Sequence, residues 1–434
     1  MENMLTSFLN RNKIVLKTFL IGILILLLLI PTLFIQSLVS ERQERQFEAV
    51  SEVSSKWAGP QTITGPVIGI PYSTMISDGG HTKEVKNWAY FLPSKLNIHA
   101  RVIPEKRYRG IYQVVVYTTE LQVTGSYDSL HLSDLNVPTA NWLWNEAAVF
   151  FDIRDVQGLK EDITLHMAGS DLDMVPAKFS SEQFKTALSA SLPAGITAIH
   201  DRPLDFSMTV KLKGSGNLLF VPAGKDTRVR VESSWSDPSF AGSYLPDART
   251  VKDSGFVADW KVLYLNRKFP QQWKEGTYDL ENAAFGVNFI LPVDSYQQTT
   301  RSVKYAILII LLTFTAFLLI EWIYGRTVRS LQYVLVGFAL CLFYTLLLSF
   351  AEYIGFNPAY LVAAVATIGL IAWYVKSILQ SAKMSWFVTF LLVVQYGFIF
   401  ILIQLQDYAL LMGSLGLFIT LAIVMYFSRK IKWT

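Results

Sequence analysis

Hydrophobic residues are distributed unevenly along the 434-residue chain. Residues 18–39 and 303–427 are mostly apolar, and the long region between them has short apolar runs broken by polar turns. The junction at residues 301–323 sets the plan. Positions 306–320 carry no charge; Lys304 bounds one side, and Glu321, Trp322, Tyr324 and Arg326 bound the other. A spanning helix needs about 20 mostly apolar residues, since bilayer oil is about 30 Å thick and each residue rises about 1.5 Å. Residues 303–324 meet that length.

Residues 18–39 are also uncharged and follow Arg11, Lys13 and Lys17. A secretory signal has a shorter apolar core, about 7–15 residues, ending at a small-residue cleavage site. Ser37, Leu38, Val39 and Ser40 fit such a site poorly. The segment is therefore expected to be an uncleaved anchor, with Pro31 as a kink that a bilayer helix tolerates. Residues 331–350, 359–375, 386–404 and 408–427 are four further apolar segments, for six transmembrane helices in all. Asn357 and Pro358 suit a helix start. Trp322, Tyr324, Trp373, Tyr374, Trp386, Tyr408 and Tyr426 fall near segment ends, as an aromatic belt requires.

Residues 41–57 read as an amphipathic helix, with Phe47, Val50, Val53 and Trp57 on one face and Glu41, Arg42, Glu44, Arg45 and Glu48 on the other. This helix is either a signalling stalk or a helix packed under the following domain. Gly59 and Pro60 end it. Residues 59–293 read as β structure. The clearest strands are 67–72, 111–118, 204–213, 218–221, 228–233, 257–266 and 284–291. Residues 213–217, with Gly214 and Gly216, predict a hairpin turn. Residues 139–151 and 180–190 predict helices, the second with Ser180 and Ser181 as caps and Phe184 and Leu188 on one face. The texture indicates sandwich-like sheets, with a duplicated pair of halves split near residues 193–203 as one arrangement.

Charge supplies the orientation. Arg11, Lys13, Lys17, Arg326, Arg329, Lys376, Lys383, Arg429, Lys430 and Lys432 all fall on one side of the six-helix plan; the opposite short loops hold only Glu352 and Asp407. The excess of positive loops predicts cytoplasmic termini. Residues 40–302 then lie on the far side of the membrane as a separate domain, between 1–39 (tail and first helix) and 303–434 (five-helix transmembrane domain). A net charge of +4 gives no indication of nucleic acid, and the basic residues cluster at helix ends. The single cysteine, Cys341, lies in an apolar run, so the external domain is expected to hold no disulfide. At about 260 residues it buries roughly three quarters of its unfolded surface without one.

Several ordered blocks resemble the CreD family of bacterial inner-membrane proteins, described as cell envelope integrity proteins. They are WAGPQTITGP at 57–66, RYRGIY at 107–112, SWSDPSF at 234–240, FGV at 285–287 and PVDSY at 292–296. RSVKY at 301–305, QYVLVG at 332–337, FYTLLLS at 343–349 and AEYIGF at 351–356 extend the likeness nearly end to end. The family pattern implies a His-Pro-like pair where this chain has Arg329, Ser330 and Leu331, and a histidine where it has Tyr353. The resemblance implies a role in envelope stress, tied to a two-component system and the β-lactam response, and no defined catalytic mechanism.

Glu321 is the most informative single residue, because a carboxylate in a spanning segment costs about 2.5–3.5 kcal/mol at the centre and less near an end. It is either a proton or conformational site or an interfacial acid paired with Arg326 or Arg329. Glu352, at the opposite rim, reads as a second candidate acid or as a solvated loop residue. Trp57, Gly59, Pro60 and Gln61, and Trp235, Pro238 and Phe240, belong to loops that suit ligand recognition or tight aromatic packing. The five histidines are scattered and no metal site or cofactor is expected. No G-x-S-x-G, Ser-x-x-Lys or P-loop occurs, and Asp171 and Asp173 do not complete a calcium loop.

The expectation is a non-enzymatic, multi-pass α-helical membrane protein with a large β-rich extracytoplasmic domain. Its partners are the lipid bilayer and an unidentified envelope protein, glycan or lipid. A transporter or lipid-handling protein using helices two to six is the alternative, though the mostly Leu, Ile and Phe interiors argue against it.

Overall fold

The computed structural model describes residues 13–78, 81–176, 183–184, 187–193, 203–274, 276–289, 295–324, 328–405 and 408–428. Every apolar segment forms a helix. α1 (Lys13–Trp57) runs through Pro31 without interruption. After the β region come α2 (Ser295–Lys304), α3 (Ala306–Tyr324), α4 (Ser330–Ile354), α5 (Phe356–Leu379), α6 (Ala382–Gln404) and α7 (Ala409–Ser428). Among the described residues, five helical stretches are long and apolar enough to cross a membrane: Leu16–Trp57, Ser295–Trp322, Ser330–Ile354, Phe356–Leu379 and Ala382–Gln404.

The contacts divide the chain into a helical unit (Met1–Phe47 with Val293–Thr434) and a β unit (Glu48–Pro292). Within the helical unit, α1 buries one stripe, Ile21, Leu28, Thr32, Ile35 and Val39, at three-, four- and seven-residue intervals. Its other faces present Phe19, Leu26, Leu33 and Phe34 outward. Leu28 packs at Gly337 of α4, where a β-carbon would lie 2.2 Å from its Cδ1, so a small residue permits the close approach. Tyr333 receives Phe314 and Phe317 edge-on at 5.3 and 5.7 Å, and Phe343 meets Tyr396 at 4.6 Å.

Along α1 the expected apolar face of residues 41–57 is only partly formed. Phe47 is 64% exposed, and Ala49 takes a buried position instead.

The first strands of the β unit are β1 (Gln61–Asp78), β2 (His81–Phe91), β3 (Lys95–Arg109), β4 (Tyr112–Tyr127) and β5 (Ala148–Ile153). Next come β6 (Thr164–Met167), β7 (Ser170–Asp173), β8 (Val175–Pro176), β9 (Leu188–Ser191), β10 (Leu204–Ser215) and β11 (Asn217–Phe220). Then follow β12 (Asp226–Ser233), β13 (Pro238–Gly242), β14 (Ala248–Lys252), β15 (Gly255–Leu263), β16 (Gln272–Lys274) and β17 (Phe285–Phe289). One sheet has the order β13-β17-β11-β1-β5-β9-β8, with β2 on β1 and β16 on β2; the other has β14-β15-β12-β3-β4-β10-β6-β7.

Period-two burial explains the second sheet. In β3, Leu96, Ile98, Ala100 and Val102 are buried while Lys95, Asn97, His99 and Arg101 are exposed. Buried residues of both sheets belong to one hydrophobic cluster. Tyr117 meets Phe289 at 5.1 Å, Trp260 meets Phe285 at 5.8 Å, and the Tyr127 hydroxyl donates to Pro66 O at 2.7 Å. Each large side chain so buried contributes about 1.5–3 kcal/mol. Since this cluster lies wholly within the β unit, residues 41–300 exported without the apolar helices should be soluble and give mainly β circular dichroism. A predominantly helical spectrum would refute that expectation.

Three local expectations are corrected. Residues 139–151 are not a helix: Thr139–Asn141 and Trp144–Glu146 are single 3-10 turns, and Ala148–Ile153 is β5. Val149, Phe150 and Phe151 are buried between β1 and β9, and pairing on both sides outweighs local preference. Of residues 180–190, positions 180–182 and 185–186 lie outside the described residues, and Leu188 onward is strand β9. Residues 213–217 are a crossover and not a hairpin. Gly216 adopts the expected positive φ of 72°, yet β10 pairs with β4 and β6, whereas β11 pairs with β1 and β17 in the other sheet. Residues 194–202, near the expected split into halves, lie outside the described residues. Each sheet takes strands from both sides of that point, so the two halves are not separate bodies.

Candidate functional site

Glu321 lies in the last turn of α3 and pairs with Lys17 of α1, whose ammonium also donates to Val328 O at 2.7 Å. The side chains are 12% and 25% exposed respectively. Glu321 Oε2 and the Tyr333 hydroxyl interact electrostatically, but among the described residues neither has a hydrogen-bond partner. The expected pairing with Arg329 is not formed, and Arg326 lies outside the described residues.

Glu352 lies within α4, so it is not a loop acid. Its side chain is 9% exposed, accepts from the Tyr296 hydroxyl at 3.0 Å and has Arg42 Nε at 3.8 Å. The bundle interior also contains polar groups absent from a plain Leu, Ile and Phe reading. Thr313 donates to Gln395 Oε1 at 3.2 Å, and Tyr360 donates to Tyr396 O at 2.8 Å. Gln395 Nε2 and the Tyr344 and Tyr396 hydroxyls are buried without a hydrogen-bond partner among the described residues.

In the β unit the first aromatic block is tied into the fold at Trp57, Gly59 and Gln61. Arg107 and Lys213 lie over the Trp57 ring at 4.9 and 4.5 Å, and the indole N–H donates to Tyr117 O at 3.4 Å. Gly59 N donates to Asp155 Oδ2 at 2.7 Å, while Pro60 is exposed. Gln61 is fully buried; its amide donates to Asp155 O and Lys213 O, both at 3.0 Å, and accepts from Asp155 N. On α1, Glu52 binds Lys56 and Arg109, which hold its carboxyl below the usual carboxylate range.

The second block adjoins the eight-stranded sheet. The Trp235 indole donates to Asp237 O at 3.0 Å, and Lys106 lies over the ring at 5.5 Å. Pro238 begins β13 and is half-buried. Phe240 packs edge-on against Phe256 and Trp260, both at 5.8 Å, with Arg249 over its ring. Neighbouring residues of β3, Lys106 and Arg107, therefore reach Trp235 and Trp57 respectively. Beside this block lies a cavity of about 490 Å³, whose lining includes Arg101, Glu232, Ser234, Thr250, Lys252 and Phe256. Arg230, foremost, and His99 keep the Glu232 carboxyl below its usual range. Among the described residues, no group of three His, Cys, Asp or Glu side chains is placed to hold a metal ion.

The sequence pattern did not indicate Lys17, Arg42, Tyr296 or Gln395 as partners, and each lies far in sequence from the group it meets. The unpaired lysine beside the first apolar run was the one available signal, since a charge at a helix end adjoining an intramembrane acid is a natural counterion.

Residues 13–434 match the family model described as Inner membrane protein CreD. A protein of Escherichia coli (strain K12) described as Inner membrane protein CreD is 31% identical over 415 residues, covering 94% of this chain and 91% of that protein.

Proposed function

This chain belongs to the CreD family of inner membrane proteins, and from that premise we propose that it is a non-enzymatic, six-span protein serving envelope integrity and the response to envelope stress. Its β unit, arranged as a sandwich, faces the periplasm and contacts a component of the envelope. The observation that carries this reading is the contrast in surface between the units. Helices of the helical unit turn Phe19, Leu361 and Trp386 outward, the last 72% exposed, as lipid contact requires. The outer face of the eight-stranded sheet instead carries ion pairs such as Arg230 with Asp259 and Lys211 with Glu161. The absence of catalytic signatures from the sequence supports a binding role.

The orientation rests on the ten lysines and arginines of the tails and alternate loops. A reporter active only in the cytoplasm should work when fused at Thr434. It should be silent when inserted at Gly169, in the exposed two-residue turn between β6 and β7, where a β-carbon meets nothing within 4 Å. The opposite pattern would invert the topology. Crosslinking from the β unit in native membranes, followed by pull-down, identifies the contacted component.

Transport or lipid handling through the helical unit is the second reading, favoured by one observation, the buried polar groups at Thr313, Gln395, Tyr344 and Tyr396. The discriminating measurement is ion or lipid flux in proteoliposomes, with Gln395→Leu as the comparison. A flux that depends on Gln395 would place transport first.

A further inference from the structure

We propose that the outer face of the eight-stranded sheet binds a carboxylate-bearing saccharide chain in the groove between β3 and β14. This deepens, and rests on, the reading that the β unit contacts an envelope component.

Strand register builds the groove. Arg101 of β3, Glu232 of β12, Val257 of β15 and Thr250 of β14 are successive partners across the sheet. They share its outer face, since Val102 and Phe256, one position along, are buried. The next outward positions are Ile103, Gly255 and Lys252, with Ser234 just past the end of β12. Long side chains therefore rise from the outer two strands, Arg101 and Ile103 on one wall and Lys252 on the other. The floor between them is low. Gly255 has a φ of 133° and a β-carbon there would lie 2.1 Å from Ser233 O, so backbone geometry keeps this position bare. The walls stand three strand spacings apart, about 14 Å between backbones. This open groove has a volume of about 490 Å³, within the usual range of small-ligand clefts, about 300–1,000 Å³.

The chemistry selects the ligand. Among the described residues, neither Arg101 nor Lys252 is held in an ion pair, and both line the cavity. The one carboxylate of the lining, Glu232, is engaged by Arg230 at 2.8 Å and His99 at 3.3 Å. Two cations with a neutralised acid favour an anionic ligand, and an arginine fork matches the paired oxygens of a carboxylate as well as those of a phosphate. Ser234, Thr250 and Ser254 add hydroxyls that donate and accept, while Ile103 and Val257 offer apolar contact to the C–H face of a sugar ring. An acidic peptide fits less well: it would extend the sheet at the free edge of β14, whereas these groups converge on the face of the sheet.

The test uses the full chain in detergent, with trigalacturonate, neutral maltotriose and triglutamate as titrants in calorimetry. Trigalacturonate should bind at least about tenfold more tightly than either of the others. Arg101→Gln with Lys252→Gln should weaken it at least about tenfold, and raised salt should do likewise. Ser254→Trp, which fills the groove without changing its charge, should also abolish most binding; unchanged circular dichroism guards against misfolding. Equal affinity for maltotriose, or no effect of the variants, overturns the proposal. Tighter binding of triglutamate replaces it with an acidic-peptide site. A photocrosslinker at Ser254 in native membranes separates the two levels of the argument. Crosslinks without trigalacturonate binding sink the saccharide inference alone, and no crosslinks from any position on the β unit sink the envelope contact as well.

Discussion

Replacing Arg267 with methionine should lower the melting temperature of the β unit by roughly 6–12 °C. This side chain is a buried cation without a carboxylate partner among its hydrogen bonds. Its Nη1 donates to Pro222 O and Ala223 O at 2.9 and 2.8 Å, its Nη2 donates to Gln271 Oε1, and its guanidinium lies 4.5 Å from the Phe269 ring centre. Gln271 in turn donates to Leu92 O and Pro93 O, both at 2.8 Å. One arginine and one glutamine thus satisfy the carbonyls of two chain reversals, those following β2 and β11, and bind them to the segment before β16. Burial pushes the guanidinium down to about 10, so it remains charged at neutral pH.

Methionine keeps the apolar stem but leaves Pro222 O and Ala223 O buried and without these donors. Stranded buried acceptors cost about 1–3 kcal/mol each, so a total near 3 kcal/mol is a modest expectation. At about 2–4 °C per kcal/mol for a domain of this size, the stated shift follows. Arg267→Lys should fall between methionine and wild type, because a single ammonium cannot reproduce the planar fork. Thermal melts of exported residues 41–300, followed by circular dichroism, provide the measurement. A methionine variant melting within about 2 °C of wild type would show that the staple contributes little.

Arg267 also shows which parts of the fold the sequence could disclose. The helices were legible because 20 or so apolar residues in succession leave few alternatives. Strands such as β10, β12 and β15 were legible through their alternation. Residues 139–151 were misread because Ala147–Phe151 is apolar throughout, a run that periodicity cannot assign to helix or strand. At Gly216 the local chemistry was read correctly and the topology was not: positive φ serves a crossover as well as a hairpin. The groove was illegible because Arg101 and Lys252 come to opposite walls of it through the pairing of four strands, and nothing in either neighbourhood announces the other. Gln61 was noticed for its place between Pro60 and Thr62, but its role lies in three bonds to Asp155 and Lys213, far along the chain.

The pair formed by Lys17 and Glu321 is separated by 304 positions and should show strong coupling. Glu321→Leu removes the carboxylate and leaves the Lys17 ammonium, among the described residues, with only Val328 O, beside helices whose outer faces are apolar. Breaking a buried pair from one side costs about 3–5 kcal/mol. Lys17 is a quarter exposed, so solvent lowers this to about 2 kcal/mol. Lys17→Leu should be costly for the mirror reason, since Glu321 Oε2 already lacks a hydrogen-bond partner among the described residues. In the double variant, two leucines replace two charges at the end of an apolar bundle, and an apolar replacement of a buried pair is often neutral or better. Its melting temperature in detergent and its membrane abundance should therefore return close to wild type. Exchange of the two charges, Lys17→Glu with Glu321→Lys, should recover part of the loss. Glu321→Gln keeps an acceptor for Lys17 and should remain inserted, stable and active in envelope-stress complementation. A double leucine variant as damaged as the sum of the single ones would show that the two residues act independently. Loss of complementation in Glu321→Gln at wild-type abundance would have a different meaning. The titratable proton itself would then be required, and the helical unit would have to be treated as a transport path.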